Sequence, residues 1–182
     1  MIDPLIPRII AVGFSLLWFG AAWHKFAARQ SFRRVLEDYR LLPVMSVNIL
    51  ALLVPVAEAS LAGAWLFALA PAVVSVATSA LLAVYATAIA INLLRGRAYI
   101  GCGCGFSPGA DGPPLSWTLV FRNLLLIAMA LVTLLPQAQR PLGLADYALL
   151  VLALLLTALL HSAMTQLLRN RIALGAWSDV HD

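Results

Sequence analysis

Gly101-Cys102-Gly103-Cys104-Gly105 holds both cysteines of the chain, one residue apart and each flanked by glycine. Two thiols at that spacing can do one of three things. They can cycle between dithiol and disulfide. They can bind a soft ion such as Cu(I) as thiolates. Or they can be small buried apolar residues, as free cysteine often is. A disulfide needs Cα atoms about 4.4–6.8 Å apart, and an extended i, i+2 pair sits near or beyond the top of that range. A ring closed through Gly103 would be strained, and strained disulfides are readily reduced. Arg95 and Arg97, or the backbone N–H groups of a glycine-rich turn, would stabilise a thiolate if the loop folds back on itself. A zinc site is short of ligands, because His24, His161 and His181 lie in other segments. The burial reading does not explain why both cysteines fall in one glycine turn and neither in an apolar span.

Glu58 is the second residue with chemical potential. It lies deep in an apolar stretch, three residues after Pro55. A carboxylate there is costly and needs either a partner or a function. Pro55 removes a hydrogen bond to the carbonyl of Ala51 and can kink the helix beside the acid. The candidate partners are Lys25, His24 and Arg122. The two readings of Glu58 are a proton relay serving the thiols and an ion pair tying helices together.

The elements that must position these groups are membrane helices. The chain is 63% hydrophobic and 11% charged, with mean hydropathy +0.94, whereas a soluble domain has about 45–50% apolar and about 25% charged residues. The expected fold is all-α, a polytopic transmembrane bundle forming a single domain over 1–182, with spans near 5–26, 43–69, 71–94, 116–135 and 144–168. Ala70-Pro71 is the turn that divides the long apolar block, since proline suits a first helical turn. The first apolar stretch is too long for a signal-peptide core of about 7–15 residues. Residues 30–40 read as an interfacial amphipathic helix, with Phe32, Val35, Leu36 and Tyr39 at helical spacing among charges. Residues 95–115 form the cysteine loop. Asn92, one turn before Arg95, is placed to satisfy backbone groups where the third span gives way to that loop. His161 reads as a helix-contact residue. Trp18, Trp23, Trp65, Trp117 and Trp177 read as interface anchors near span ends.

A net charge of +4 does not call for nucleic acid, because the basic residues cluster at span ends. With five spans, Arg8 and Arg140 fall on one side, and Lys25, Arg29, Arg33, Arg34, Arg40, Arg95, Arg97, Arg122, Arg169 and Arg171 on the other. The positive-inside rule makes the second side, with the cysteine loop, cytoplasmic.

Phe19-Gly20 followed by Lys25, Tyr39-Arg40-Leu41-Leu42-Pro43, Pro55-Val56-Ala57-Glu58, Asn92-Leu93-Leu94-Arg95-Gly96, Cys102-Gly103-Cys104 and Arg122-Asn123 resemble, in order and spacing, the MauE family of methylamine utilisation membrane proteins, grouped with DoxX-like redox-associated proteins. The resemblance covers about Phe14 to Leu135 and is sharpest at the cysteines. The family usually reads Cys-Gly-Cys-Phe-Gly, and this chain reads Cys102-Gly103-Cys104-Gly105-Phe106, a departure that bears on loop conformation. The resemblance implies a four-helix core like that of vitamin K epoxide reductase. It implies a bacterial inner-membrane location and thiol–disulfide oxidoreductase activity through Cys102 and Cys104. It also implies a thioredoxin-like partner of the MauD type and a role in maturing the disulfide-rich small subunit of methylamine dehydrogenase. Lys25, Glu58, Asn92, Arg95 and Arg122 fall on family-pattern positions as supporting or proton-relay residues. The alternative is a membrane soft-metal carrier or non-catalytic assembly scaffold. The disulfides in question are periplasmic, while the charge pattern puts the thiols on the cytoplasmic side. A different span count, a loop that re-enters the membrane, or transfer of electrons to a quinone in the bilayer would each reconcile the two.

Overall fold

The computed structural model describes residues 2–41, 43–97, 115–138, 140, 143–153, 155 and 159. Cys102, Cys104, His161 and Trp177 lie outside them. The described residues form helices and no strand: α1 (Leu5–Ala27), α2 (Arg29–Tyr39), α3 (Val44–Leu66), α4 (Pro71–Leu94), α5 (Trp117–Val132) and α6 (Leu144–Ala153). The chain divides into two compact units at residue 138, with α1–α5 in the first and α6 in the second. Among the described residues three helices, Leu5–Ala27, Met45–Leu66 and Pro71–Leu94, are long and apolar enough to cross a membrane. The molecule is a helical membrane protein.

Each long helix buries one stripe at the three- and four-residue spacing that a helix imposes on a single face. In α1 the stripe is Ile10, Phe14, Trp18, Ala22 and Lys25. In α3 it is Val47, Ala51, Pro55, Glu58, Ala62 and Trp65. In α4 it is Val74, Thr78, Leu82, Ala86, Ile89 and Asn92. The opposite faces carry exposed Leu16, Phe19, Ile49, Leu53, Val76 and Val84, as expected where lipid is the solvent. Within the first unit α1 packs closely on α3, and α4 on α5. Small side chains at these contacts, such as Ser15, Ala51, Ala62 and Ala130, let the backbones approach. The two pairs meet through larger residues.

Polar side chains tie the helices at several levels. Ser15 Oγ donates to the Ala62 carbonyl (3.0 Å). The Trp65 indole N–H donates to Thr78 Oγ1 (2.9 Å). The hydroxyls of Ser75 and Thr133 share a hydrogen bond of 2.7 Å. Trp18 and Trp65 are therefore interior residues and not interface anchors: Trp65 stacks on Phe14 at 5.2 Å, and Trp18 is buried against Tyr85. Being near a helix end did not expose Trp65, because its indole N–H found a partner inside the bundle. Trp23 and Trp117 remain exposed.

The turn between α3 and α4 ends α3 earlier than its hydropathy suggests. Ala68 and Ala70 take left-handed conformations, the Leu69 N–H bonds to Ala64 O, and Pro71 opens α4. α5 likewise stops at Val132, followed by short-range turns through Thr133, Leu134 and Leu135. The N-terminus joins this end of the unit: Ile2 N–H bonds to Pro136 O, and Ala138 N–H to Ile2 O. The C-terminus of α1, all of α2, the start of α3, the end of α4 and the start of α5 occupy the opposite end.

Candidate functional site

Lys25, in the last turn of α1, and Glu58, in the middle of α3, form a buried ion pair. Lys25 Nζ donates to Glu58 Oε1 at 2.5 Å. Contacts between α1 and α3 run Phe14 to Trp65, Ser15 to Ala62 and Lys25 to Glu58, so the helices are antiparallel. About 15 Å separates the Cα levels of Ser15 and Lys25, but only about 6 Å those of Ala62 and Glu58. The long lysine stem closes the difference by reaching inward. Of the three candidate partners, Lys25 makes the bond.

Tyr85 of α4 is the residue that sequence reasoning missed. Its hydroxyl donates to the same oxygen, Glu58 Oε1, at 2.7 Å. The signal was available: a tyrosine in the middle of an apolar span must find a partner for its hydroxyl. Lys25 Nζ also sits over the rings of Phe32, at 5.3 Å, and Tyr85, at 5.5 Å. Cation–π attraction of this kind is worth about 2 kcal/mol when desolvated. One carboxylate thus joins α1, α3 and α4, and the ammonium adds α2 through Phe32. The chemistry on offer is an electroneutral charge pair with a phenol attached, shielded from lipid.

Asn92 lies two turns beyond Tyr85 on α4 and is buried. Its Nδ2 donates to the Ala88 carbonyl, one turn back inside the helix, at 3.0 Å, and not to a group left open at the helix end. The helix then closes with paired bonds. Gly96 N–H reaches Leu93 O and Arg97 N–H reaches Asn92 O, with Gly96 at φ +71°. This is a Schellman termination, and it needs the left-handed conformation that glycine adopts without strain. Arg95 is exposed beside it, and Arg122 lies on the exposed side of α5.

The chain leaves the described bundle at Arg97 and returns at Leu115. Leu115 is buried with Tyr39 of α2 and Ile89 of α4. Burial pushes the Tyr39 hydroxyl up to about 12, so it stays protonated. The two cysteines fall between these anchors in sequence, and both anchors are at the end of the bundle where Lys25 and Asn92 lie.

Comparison with known proteins adds what geometry alone does not. A family model described as methylamine utilisation protein MauE matches residues 4–136. The chain is 39% identical over 140 residues to the methylamine utilization protein MauE of Paracoccus denitrificans, covering 76% of this chain and 74% of that one. It is 39% identical over 148 residues to the protein of the same name from Paracoccus versutus, covering 80% and 78%. Over 138 residues it is 36% identical to the one from Methylorubrum extorquens, covering 75% and 73%. No solved structure matches.

Proposed function

Because the chain belongs to the MauE family, we propose that it is a thiol–disulfide exchange protein of the bacterial inner membrane, crossing it several times and serving methylamine utilisation. The observation that carries this reading is the placement of the chain's only two cysteines one residue apart, in a segment whose two ends are fixed to the bundle at Gly96 and Leu115. The exchange balances without an outside reagent. The thiolate of one cysteine attacks a disulfide of the partner, forming a mixed disulfide and releasing one partner thiolate, which takes up the proton. The second cysteine then attacks the mixed disulfide, closing Cys102–Cys104 and freeing the second partner thiol. Two electrons pass to the partner, and the reverse sequence returns them. The partner is a thioredoxin-like protein of the MauD type. The final beneficiary is the disulfide-rich small subunit of methylamine dehydrogenase.

Single-cysteine trapping tests the reading. Cys102→Ser and Cys104→Ser proteins are expressed with the partner, quenched with acid and separated without reductant. One of the two should accumulate a mixed disulfide that reductant dissolves. Absence of an adduct in both, together with Cu(I) bound by the reduced unsubstituted protein, would replace exchange with metal carriage.

A further inference from the structure

The short helix α2 runs across one end of the bundle, from α1 to α4, and its two faces differ sharply. The inner face is taken up by protein. The Phe32 ring lies 5.3 Å from Lys25 Nζ, and Tyr39 is buried with Ile89 and Leu115. The outer face is charged. Arg29, Arg33, Arg34 and Arg40 are exposed, against Glu37 and Asp38, and exposed Arg95 follows α4 at the same end. Arg33 pairs with Glu37 at 2.9 Å. Arg29, Arg34 and Arg40 have no acid partner among the described residues.

These charges oppose the helix dipole. The N-terminal turn, where the dipole is positive, holds Arg29 and no acid, and the last turn holds Glu37 and Asp38 and no base. No side chain caps the first turn. A helix of 11 residues is marginal in water without outside support. An external anion at the N-terminal half would meet the open N–H groups, the dipole and the unpaired guanidiniums together.

The bilayer offers such an anion at this level. Exposed Trp23 and Phe26 lie on α1 just before Arg29, and exposed Trp117 opens α5 at the same end. Exposed tryptophan at span ends marks the headgroup region. A phospholipid carries both a phosphate for the arginines and an acyl chain for the adjoining aromatic surface, which favours it over a soluble acidic partner. We propose that anionic phospholipid headgroups bind the N-terminal half of α2 through Arg29 and Arg34 and hold the helix across the end of the bundle. The phosphate oxygens accept from the guanidiniums and from the uncapped first turn. Phe32 is thereby kept over Lys25.

The test uses the full chain in nanodiscs containing phosphatidylglycerol and phosphatidylcholine in equal amounts. Native mass spectrometry counts the lipids that stay on the protein when the disc is stripped away. The parent protein should retain phosphatidylglycerol in excess. Arg29→Gln/Arg34→Gln should cut that excess several-fold, since each arginine near an anionic surface is worth about fivefold. Both side chains are exposed and glutamine is as good a helix former, so the fold is kept. Arg8→Gln, at the far end of α1, should keep the excess. Hydrogen exchange of the α2 amides should be slower in phosphatidylglycerol discs than in phosphatidylcholine discs for the parent, and equal in the two for the double variant. Equal retention of the two lipids by the parent overturns the proposal. So does an excess that survives in Arg29→Gln/Arg34→Gln or falls as far in Arg8→Gln, and so does parental α2 exchange that ignores the lipid. Binding of polyglutamate by a parent without lipid preference, lost in the double variant, would assign this face to an acidic protein instead.

Discussion

The Nζ of Lys25 lies 2.5 Å from Oε1 of Glu58, with the two side chains 6% and 0% exposed. A pair so placed is strongly asymmetric in its response to substitution. Breaking it strands a charge, whereas removing both charges need not destabilise.

Glu58→Leu and Lys25→Met should each lower stability by about 3–5 kcal/mol, and Lys25→Met/Glu58→Leu by clearly less than their sum. Unfolding in mild detergent, followed by tryptophan fluorescence, measures the cycle. Additive losses would mean that the two charges are not coupled.

Tyr85→Phe keeps the ring against Trp18 and removes only the hydroxyl. A hydrogen bond to a charged group contributes about 1.5–3 kcal/mol, and a loss of that size is expected in the same assay. No loss would place the Tyr85 hydroxyl away from Glu58.

Thr78→Val should cost about 1–3 kcal/mol, because it leaves the Trp65 indole N–H buried without its acceptor. The companion Trp65→Phe/Thr78→Val removes both polar atoms, so less of its cost comes from hydrogen bonding. A shift to faster exchange of the Trp65 indole proton in Thr78→Val would confirm the bond in the membrane.

Gly96→Ala forces a side chain into a left-handed residue, at a cost of about 1–2 kcal/mol. The effect should concentrate where α4 ends. Proteolysis within residues 97–115 should accelerate while the bundle itself stays intact. Equal proteolysis in parent and variant would show that the Gly96 termination does not hold the base of this segment.

Much of the bundle was legible because lipid leaves a plain mark on sequence. The long apolar stretches announced α1, α3 and α4, and Pro71 announced the turn before α4. Glu58 announced the site, since a carboxylate in that setting must be paired. Tyr85 and Trp18 were harder to read. A single tyrosine among alanines and leucines carries no periodic signal, and its partner lies 27 residues away. Trp18 and Trp65 read as interface residues from the sequence because hydropathy locates a residue along a helix and says nothing of which face it occupies. That information resides in the register between α1 and α3, fixed by Ser15, Ala62 and Phe14. The ends of α3 and α5 also fell short of their apolar stretches, because the backbone turned at Ala68, Ala70 and Thr133 while the residues remained hydrophobic.

The most direct test of thiol exchange is a redox titration of Cys102 and Cys104 in the purified, membrane-embedded protein, read by mass after thiol alkylation. One reversible two-electron transition is expected, in which both cysteines gain and lose protection together, and it should be lost in either single-serine variant. Two thiols that remain alkylatable across the whole range of potentials, with no Cys102–Cys104 disulfide at the oxidising end, would contradict thiol exchange.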